Sequence, residues 1–257
     1  MNVAPEWIPY RRGVQILRAL GDVVEGQDAA RGLYLLTGPP NNGKTAIVDQ
    51  LRRIFRTRAD PAAERSHIPL LALDMPPRPA VHAILRKALA STGAPVMPCP
   101  LDRGILYLGS VLRGCGARLI VLDDAQHILA GMPAQRRLFL SFWTAVADRA
   151  GAALLLAGTA RVFELGPLVE KARLLLSLPA WPLDQEFVDM VRALERHLSP
   201  EHPFIGAADI PILHTASGGR LGAMVAVMMR LTGHSPIWNE EWQVALEQRF
   251  RHAEDVV

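Results

Sequence analysis

The residues best suited to chemistry lie in one short run, GPPNNGKT, where Gly38, Gly43, Lys44 and Thr45 stand at the spacing G-x-x-x-x-G-K-[ST]. Glycines at that spacing let backbone N–H groups curl around phosphate oxygens, and a helix starting at the lysine adds its positive end. Lys44 would reach the β- and γ-phosphates of a bound nucleotide, and the Thr45 hydroxyl would hold Mg²⁺. Gly38, Asn41, Asn42, Gly43, Lys44 and Thr45 therefore form the candidate nucleotide-binding set. The alternative is an incidental glycine turn before a helix. Context argues against it, because the apolar run LYLLT comes before the loop and a helical pattern ending in arginines comes after it. The chain has three lysines, Lys44, Lys87 and Lys171, and every other side-chain cation of the Lys/Arg kind is arginine. GC-rich codon usage accounts for that bias and makes a lysine inside the glycine loop stand out.

A second constellation is RLIVLDDAQHIL, residues 118–129, in which an apolar run ends on Asp123 and Asp124. Ligands of open α/β sheets collect at the carboxyl ends of strands. Asp123 there binds Mg²⁺ through water, and Asp124 orients or deprotonates the attacking water. Such a carboxylate directs the chemistry toward hydrolysis rather than phosphate transfer to a substrate. Asp124 has an alternative role as an acid facing a helix dipole.

The elements that position these groups follow from apolar periodicity. Continuous apolar runs at 33–37, 68–73, 118–122, 152–157 and 174–178 read as buried strands. They alternate with helical patterns at 45–55, 79–91, 101–115, 133–150 and 162–171, which predicts a parallel sheet covered on both faces. PAWPLDQ, residues 179–185, punctuates the pattern with two prolines. Beyond it the segments 185–198, 208–216, 220–232 and 240–253 all read as helices. The expected architecture is an α/β P-loop core over residues 1–182 and a small all-helical lid over 183–257.

Composition narrows the class further. Half of the 257 residues are apolar and 21% are charged, an ordinary globular balance. No apolar run reaches 18 residues, and the N-terminus has no apolar leader stretch. Two lone cysteines, Cys99 and Cys115, argue against a disulfide framework and fit a reducing cytoplasm. A formal charge of +3 permits nucleic-acid binding without demanding it. The eight histidines show no H-E-x-x-H spacing and no G-x-S-x-G occurs, so neither a zinc hydrolase nor a serine esterase is indicated.

Taken together, the phosphate loop, the acidic pair and the helical appendage resemble the AAA+ ATPases over nearly the whole chain. The strand-like ALLLAGTARVFEL, 153–165, ends on Thr159, and the resemblance implies a γ-phosphate sensor there; Thr159 otherwise caps the following helix. The family also uses an arginine lent across a subunit boundary, and Arg173 in VEKARLLLSLP matches that position best, with Arg161 second. Arg220 in SGGRLGAMV matches a second sensor. A cation at a helix N-terminus opposes the dipole, which calls for an anionic partner.

Within AAA+ proteins, GPPNNGKT, the acidic pair running into AQHILAG, ALDMPPRP, LPAWPLDQEF and the opening WIPYRRGVQILRAL are similar to the TniB group, bacterial transposition helper ATPases related to TnsC. The resemblance places Tyr10 and its neighbours at the adenine. It implies ATP-dependent homo-oligomers, as rings or filaments, on duplex DNA, with contacts to a transposase and a target-selecting adaptor protein and no membrane role. It also puts DNA contacts near Arg78, Lys87 and Arg103. The group carries aspartate then glutamate where this chain has Asp123 and Asp124, so slow hydrolysis is expected. Another AAA+ role, in secretion or replication loading, and a nucleotide-gated scaffold with little turnover remain as alternatives. A small-molecule kinase lacks an acceptor pocket in this pattern.

Overall fold

The computed structural model describes residues 7–26, 31–58, 66–199 and 203–231. The expected terminal helix at 240–253, with Trp238 and Trp242 beside it, lies outside the described residues. The chain divides into two compact units. One comprises Arg11–Gly38 and Lys44–Leu178; the other comprises Met1–Tyr10, Pro39–Gly43 and Pro179–Val257.

The first unit is built on five strands, β1 (Leu33–Thr37), β2 (Leu70–Asp74), β3 (Leu119–Asp123), β4 (Ala153–Gly158) and β5 (Leu174–Ser177). They form one sheet in the order β2-β3-β4-β1-β5, and every neighbouring pair is parallel. The reason lies in the side chains. LIVLD of β3 and ALLLAG of β4 are buried at every position, so both faces of these strands need helical cover. Leu35, Leu71, Leu73, Ile120, Leu122, Leu154 and Leu156 join one continuous core with α3 (Val81–Ser91), α4 (Leu101–Gly114) and α5 (Pro133–Ala150). The alternate residues Tyr34, Leu36, Val121 and Leu155 are buried too and point to the opposite face. There α2 (Lys44–Ile54) packs on the sheet through Ile47, Val48 and Leu51, with α1 (Arg11–Val24) against it. β5 closes one edge, and its pattern is only partly buried.

One expected helix does not form as a single element. Residues 162–171 divide into a 3-10 turn, Ala160–Leu165, and a short α6, Pro167–Glu170. Gly166 between them sits at φ 102, outside the helical region. Pro167 supplies no N–H for an i→i−4 bond and disfavours helical geometry in the residue before it.

In the second unit, α7 (Gln185–Leu198), α8 (Asp209–Ser217) and α9 (Leu221–Leu231) pack through Phe187, Met190, Leu194, Leu213, Met224 and Met228. Asp184 caps α7 by accepting the Phe187 amide at 3.0 Å. Glu195 ties the α7–α8 connection: its carboxylate accepts the Phe204 and Ile205 amides at 2.8 and 2.7 Å and Arg192 Nη1 at 2.8 Å. Burial acts to raise its pKa, but these donors outweigh it and hold the carboxyl below its ordinary value.

Candidate functional site

The first unit gathers its polar chemistry at the carboxyl rim of the sheet. Asp123, the last residue of β3, is 1% exposed. The Thr45 hydroxyl hydrogen-bonds its carboxylate, and the Asp124 amide donates to its Oδ1 at 2.9 Å. Burial pushes the Asp123 carboxyl up, the two hydrogen bonds oppose that, and the charges of Asp124 and Asp74 add to it. Lys44 is also buried. Its Nζ donates to the Gly38 carbonyl at 3.0 Å, so the ammonium folds back toward the start of its own loop. Burial lowers the Lys44 pKa, while the charges of Asp123 and Asp124 support the ammonium form. Gly38 is required by packing: a Cβ there would run into the Leu178 carbonyl at the end of β5.

Asp124 adopts left-handed geometry at φ 54, ψ 39, although it is not glycine. Asp tolerates this region better than most residues, at a cost of order 1 kcal/mol. It precedes the 3-10 turn Ala125–Ala130, yet its side chain makes no cap. Its carboxylate instead accepts Gln126 Nε2 at 3.0 Å. The other end of that amide, Gln126 Oε1, accepts the Thr159 backbone N–H at 3.1 Å. Thr159 starts the following 3-10 turn without a side-chain cap, and its Oγ1 is buried with no hydrogen-bond partner. An orphaned buried hydroxyl costs about 1–3 kcal/mol unless a ligand satisfies it. Gln126 was not among the expected site residues; its signal is its position two residues beyond the acidic pair.

In the second unit, the segment Pro39–Gly43 meets the start of α9. Asn41 and Gly43 have φ values of 55 and 90, the sharp path of a loop curled back on itself. The Gly222 amide donates to the Asn41 carbonyl at 2.7 Å, and the Leu221 amide to Asn42 Oδ1 at 3.1 Å. Asn42 Nδ2 donates to the Pro179 carbonyl at 2.7 Å, and the side chain is 1% exposed. Asn42 is therefore occupied with protein, leaving its backbone as its means of meeting a phosphate. Arg220, immediately before α9, donates Nε to the Ser217 carbonyl at 3.2 Å. Tyr10 is buried between Trp7 and Trp181, with ring centroids 5.6 and 5.0 Å away. Its hydroxyl has no hydrogen-bond partner, and a Cβ on Gly43 would lie 3.6 Å from it. Burial, assisted by the charge of Glu186, pushes the phenol up to about 12.

The remaining expected residues make other contacts. Arg173 is exposed at the turn into β5 rather than on a helix, and its amide donates to the Leu33 carbonyl at 2.8 Å. Arg161 is exposed and pairs with Glu164 at 3.0 Å. Lys87 on α3 donates Nζ to the Asp74 carbonyl at 3.0 Å. Arg103 is exposed on the first turn of α4. Arg78 is exposed at the mouth of a cavity of about 480 Å³ that His82, Leu101, Leu138 and Phe139 also line. Among the described residues, no His/Cys/Asp/Glu cluster of three or more forms a metal cage, and no helix is long and apolar enough to cross a membrane.

A parallel sheet in this order, with a glycine-lysine loop after β1 and an acidic pair ending β3, is a P-loop fold of the AAA+ type. Solved structures share it. The ADP form of the ORC2 protein of Aeropyrum pernix superposes with TM-score 0.59 at 17% identity, over 96% of this chain and 70% of that one. Cdc6p of Pyrobaculum aerophilum gives 0.62 at 19%, over 90% and 64%. The ORC1 protein of Aeropyrum pernix in complex with DNA gives 0.62 at 13%, over 96% and 67%. No curated protein matches the chain. The family described as Bacterial TniB protein matches residues 2–166, most of the chain, and the protein belongs to the TniB family.

Proposed function

We propose that this protein is an ATP-dependent regulator of DNA transposition: it binds ATP, assembles with copies of itself on duplex DNA, links a target-selecting adaptor to a transposase, and hydrolyses ATP to disassemble. The observation that carries the nucleotide half is the hydrogen bond from Thr45 to Asp123, with the buried Lys44 beside them. A hydroxyl and a carboxylate in direct contact are a hard-oxygen donor pair that suits Mg²⁺. Bound there, the ion would neutralise phosphate charge and orient the triphosphate. Family membership and the DNA-bound ORC1 neighbour support the DNA half.

In this reading Lys44 exchanges the Gly38 carbonyl for phosphate oxygens, which bring negative charge to a buried ammonium. Asp124 orients the attacking water. The Thr159 hydroxyl, which lacks a partner, takes one from the γ-phosphate. Arg220 contacts the phosphates. Tyr10 packs on the base. Arg173, exposed at the turn into β5, reaches the nucleotide of an adjacent subunit. Arg78, Lys87 and Arg103 supply salt-dependent phosphate contacts to DNA.

A second reading is a nucleotide-gated scaffold with slow turnover. It is favoured by Asp124, whose carboxylate is short and is already bound to Gln126. Electron microscopy with duplex DNA and a non-hydrolysable ATP analogue tests assembly, and phosphate release with DNA present tests turnover. Ordered assemblies with release support the first reading, and assemblies without release the second. A monomer indifferent to ATP and DNA defeats both.

A further inference from the structure

Asp124 and Thr159 each follow the end of a different strand, β3 and β4, and the Gln126 side chain joins them. Gln126 Nε2 donates to Asp124 Oδ1 at 3.0 Å, and Gln126 Oε1 accepts the Thr159 amide at 3.1 Å. The Gln126 amide thus spends a donor and its acceptor on two residues that the proposed reaction uses. Its position is closely defined. A Cβ on Gly158 would lie 2.5 Å from Gln126 Oε1, so the glycine ending β4 leaves room for the amide. Asp124, held in left-handed geometry, has no cap bond of its own to fix its carboxylate.

We propose that Gln126 is a positioning residue for ATP hydrolysis, coupling the γ-phosphate contact at Thr159 to the orientation of the Asp124 carboxylate. This rests on the ATPase reading above and adds the means by which its two halves communicate. The physical reason is rigidity. An aspartate side chain free to rotate about χ1 samples several staggered wells, of which few point an oxygen at a water on a given line. One hydrogen bond from Gln126 selects a well. Because the acceptor end of the same amide is anchored to the Thr159 backbone, a shift of the threonine on meeting a phosphate moves the carboxylate with it. A misplacement near 1 Å costs a reaction of this kind about 10²-fold.

The test compares Gln126→Glu and Gln126→Met with the unaltered chain. Glutamate keeps an oxygen for the Thr159 amide but loses donation to Asp124 and places a like charge against it; methionine loses both bonds at similar volume. Three quantities are read: kcat and KM for ATP with duplex DNA present, Kd for a fluorescent ATP analogue, and hydrogen exchange at the Thr159 amide. The expected result is a kcat at least tenfold lower in both variants, with KM and Kd within twofold of the unaltered chain. Exchange at Thr159 stays slow with glutamate and becomes fast with methionine. A purely structural role predicts the reverse split, with glutamate near wild type and any loss shared by KM and Kd. Either that split or an unchanged kcat in the glutamate variant overturns the inference while leaving the ATPase reading intact. Absence of turnover in the unaltered chain overturns the ATPase reading and this inference with it. If methionine prevents folding, the glutamate variant alone decides.

Discussion

Gly222 donates its amide to the Asn41 carbonyl at 2.7 Å, and a Cβ added at Gly222 would stand 2.7 Å from that same oxygen. The first turn of α9 therefore seats the loop backbone only because this residue has no side chain. Gly222→Ala should force loop and helix apart. The expected cost is about 1–3 kcal/mol, as for other overpacked contacts, together with weaker binding of ATP analogues. Thermal unfolding and analogue titration check this; an alanine variant that melts and binds like the parent refutes the seating.

Thr159 carries a buried hydroxyl with no hydrogen-bond partner. Thr159→Val removes it at nearly constant shape. Stability without nucleotide should be unchanged or slightly higher, since a buried orphan is lost rather than a bond. Discrimination between ATP and ADP should fall about tenfold or more, the worth of a hydrogen bond to a charged oxygen. Equal discrimination in parent and variant, measured by competition binding, removes Thr159 from the sensor role.

Tyr10 should ionise at about 12, above its ordinary value of 10.0, because burial and the charge of Glu186 disfavour the phenolate. The sign follows from linkage. Between those two values the folded chain holds a proton that the unfolded chain releases, so stability is full below pH 10.0 and drains away as pH climbs toward 12. The full effect is roughly 2–3 kcal/mol for a shift of this size. Tyr10→Phe should be at least as stable at neutral pH and lose this part of the alkaline decline. Absorbance titration near 295 nm should show one late-titrating tyrosine fewer in the variant than in the parent.

Glu195 holds two amides and Arg192. Glu195→Ala leaves the Phe204 and Ile205 amides unpaired, at about 1–3 kcal/mol each. The carboxyl lies below its ordinary 4.5, so its contribution is present above that value and is lost as pH falls through the lower folded-state pKa. Denaturant unfolding at pH 7 and at pH well below 4.5 should show the alanine variant weaker at pH 7 and closer to the parent in acid. A constant gap across that range contradicts the assignment.

The parts legible in the sequence share one property: the information is local. Strands β3 and β4 announce themselves because LIVLD and ALLLAG are apolar at nearly every position, which only two-sided burial requires. The bounds of α5 and α7 are where periodicity and prolines put them. The spacing of Lys44, Thr45 and Asp123 sets an expectation of phosphate chemistry, and the structure brings the Thr45 hydroxyl to the Asp123 carboxylate. The break at Gly166 and Pro167 was legible in principle, but the apolar pattern running across both sides masked it.

Tertiary structure alone decided the pairings. Gln126 meets Thr159 across 33 residues and Asn42 meets Leu221 across 179, and no local pattern marks either partner. The same holds for strand order, which places β4 between β3 and β1 and so brings Thr159 to the acidic pair. A sequence specifies which side chains can donate, accept or be buried. Which donor finds which acceptor depends on strand register and on the path of turns such as the left-handed Asp124, and those are settled only when the whole core packs.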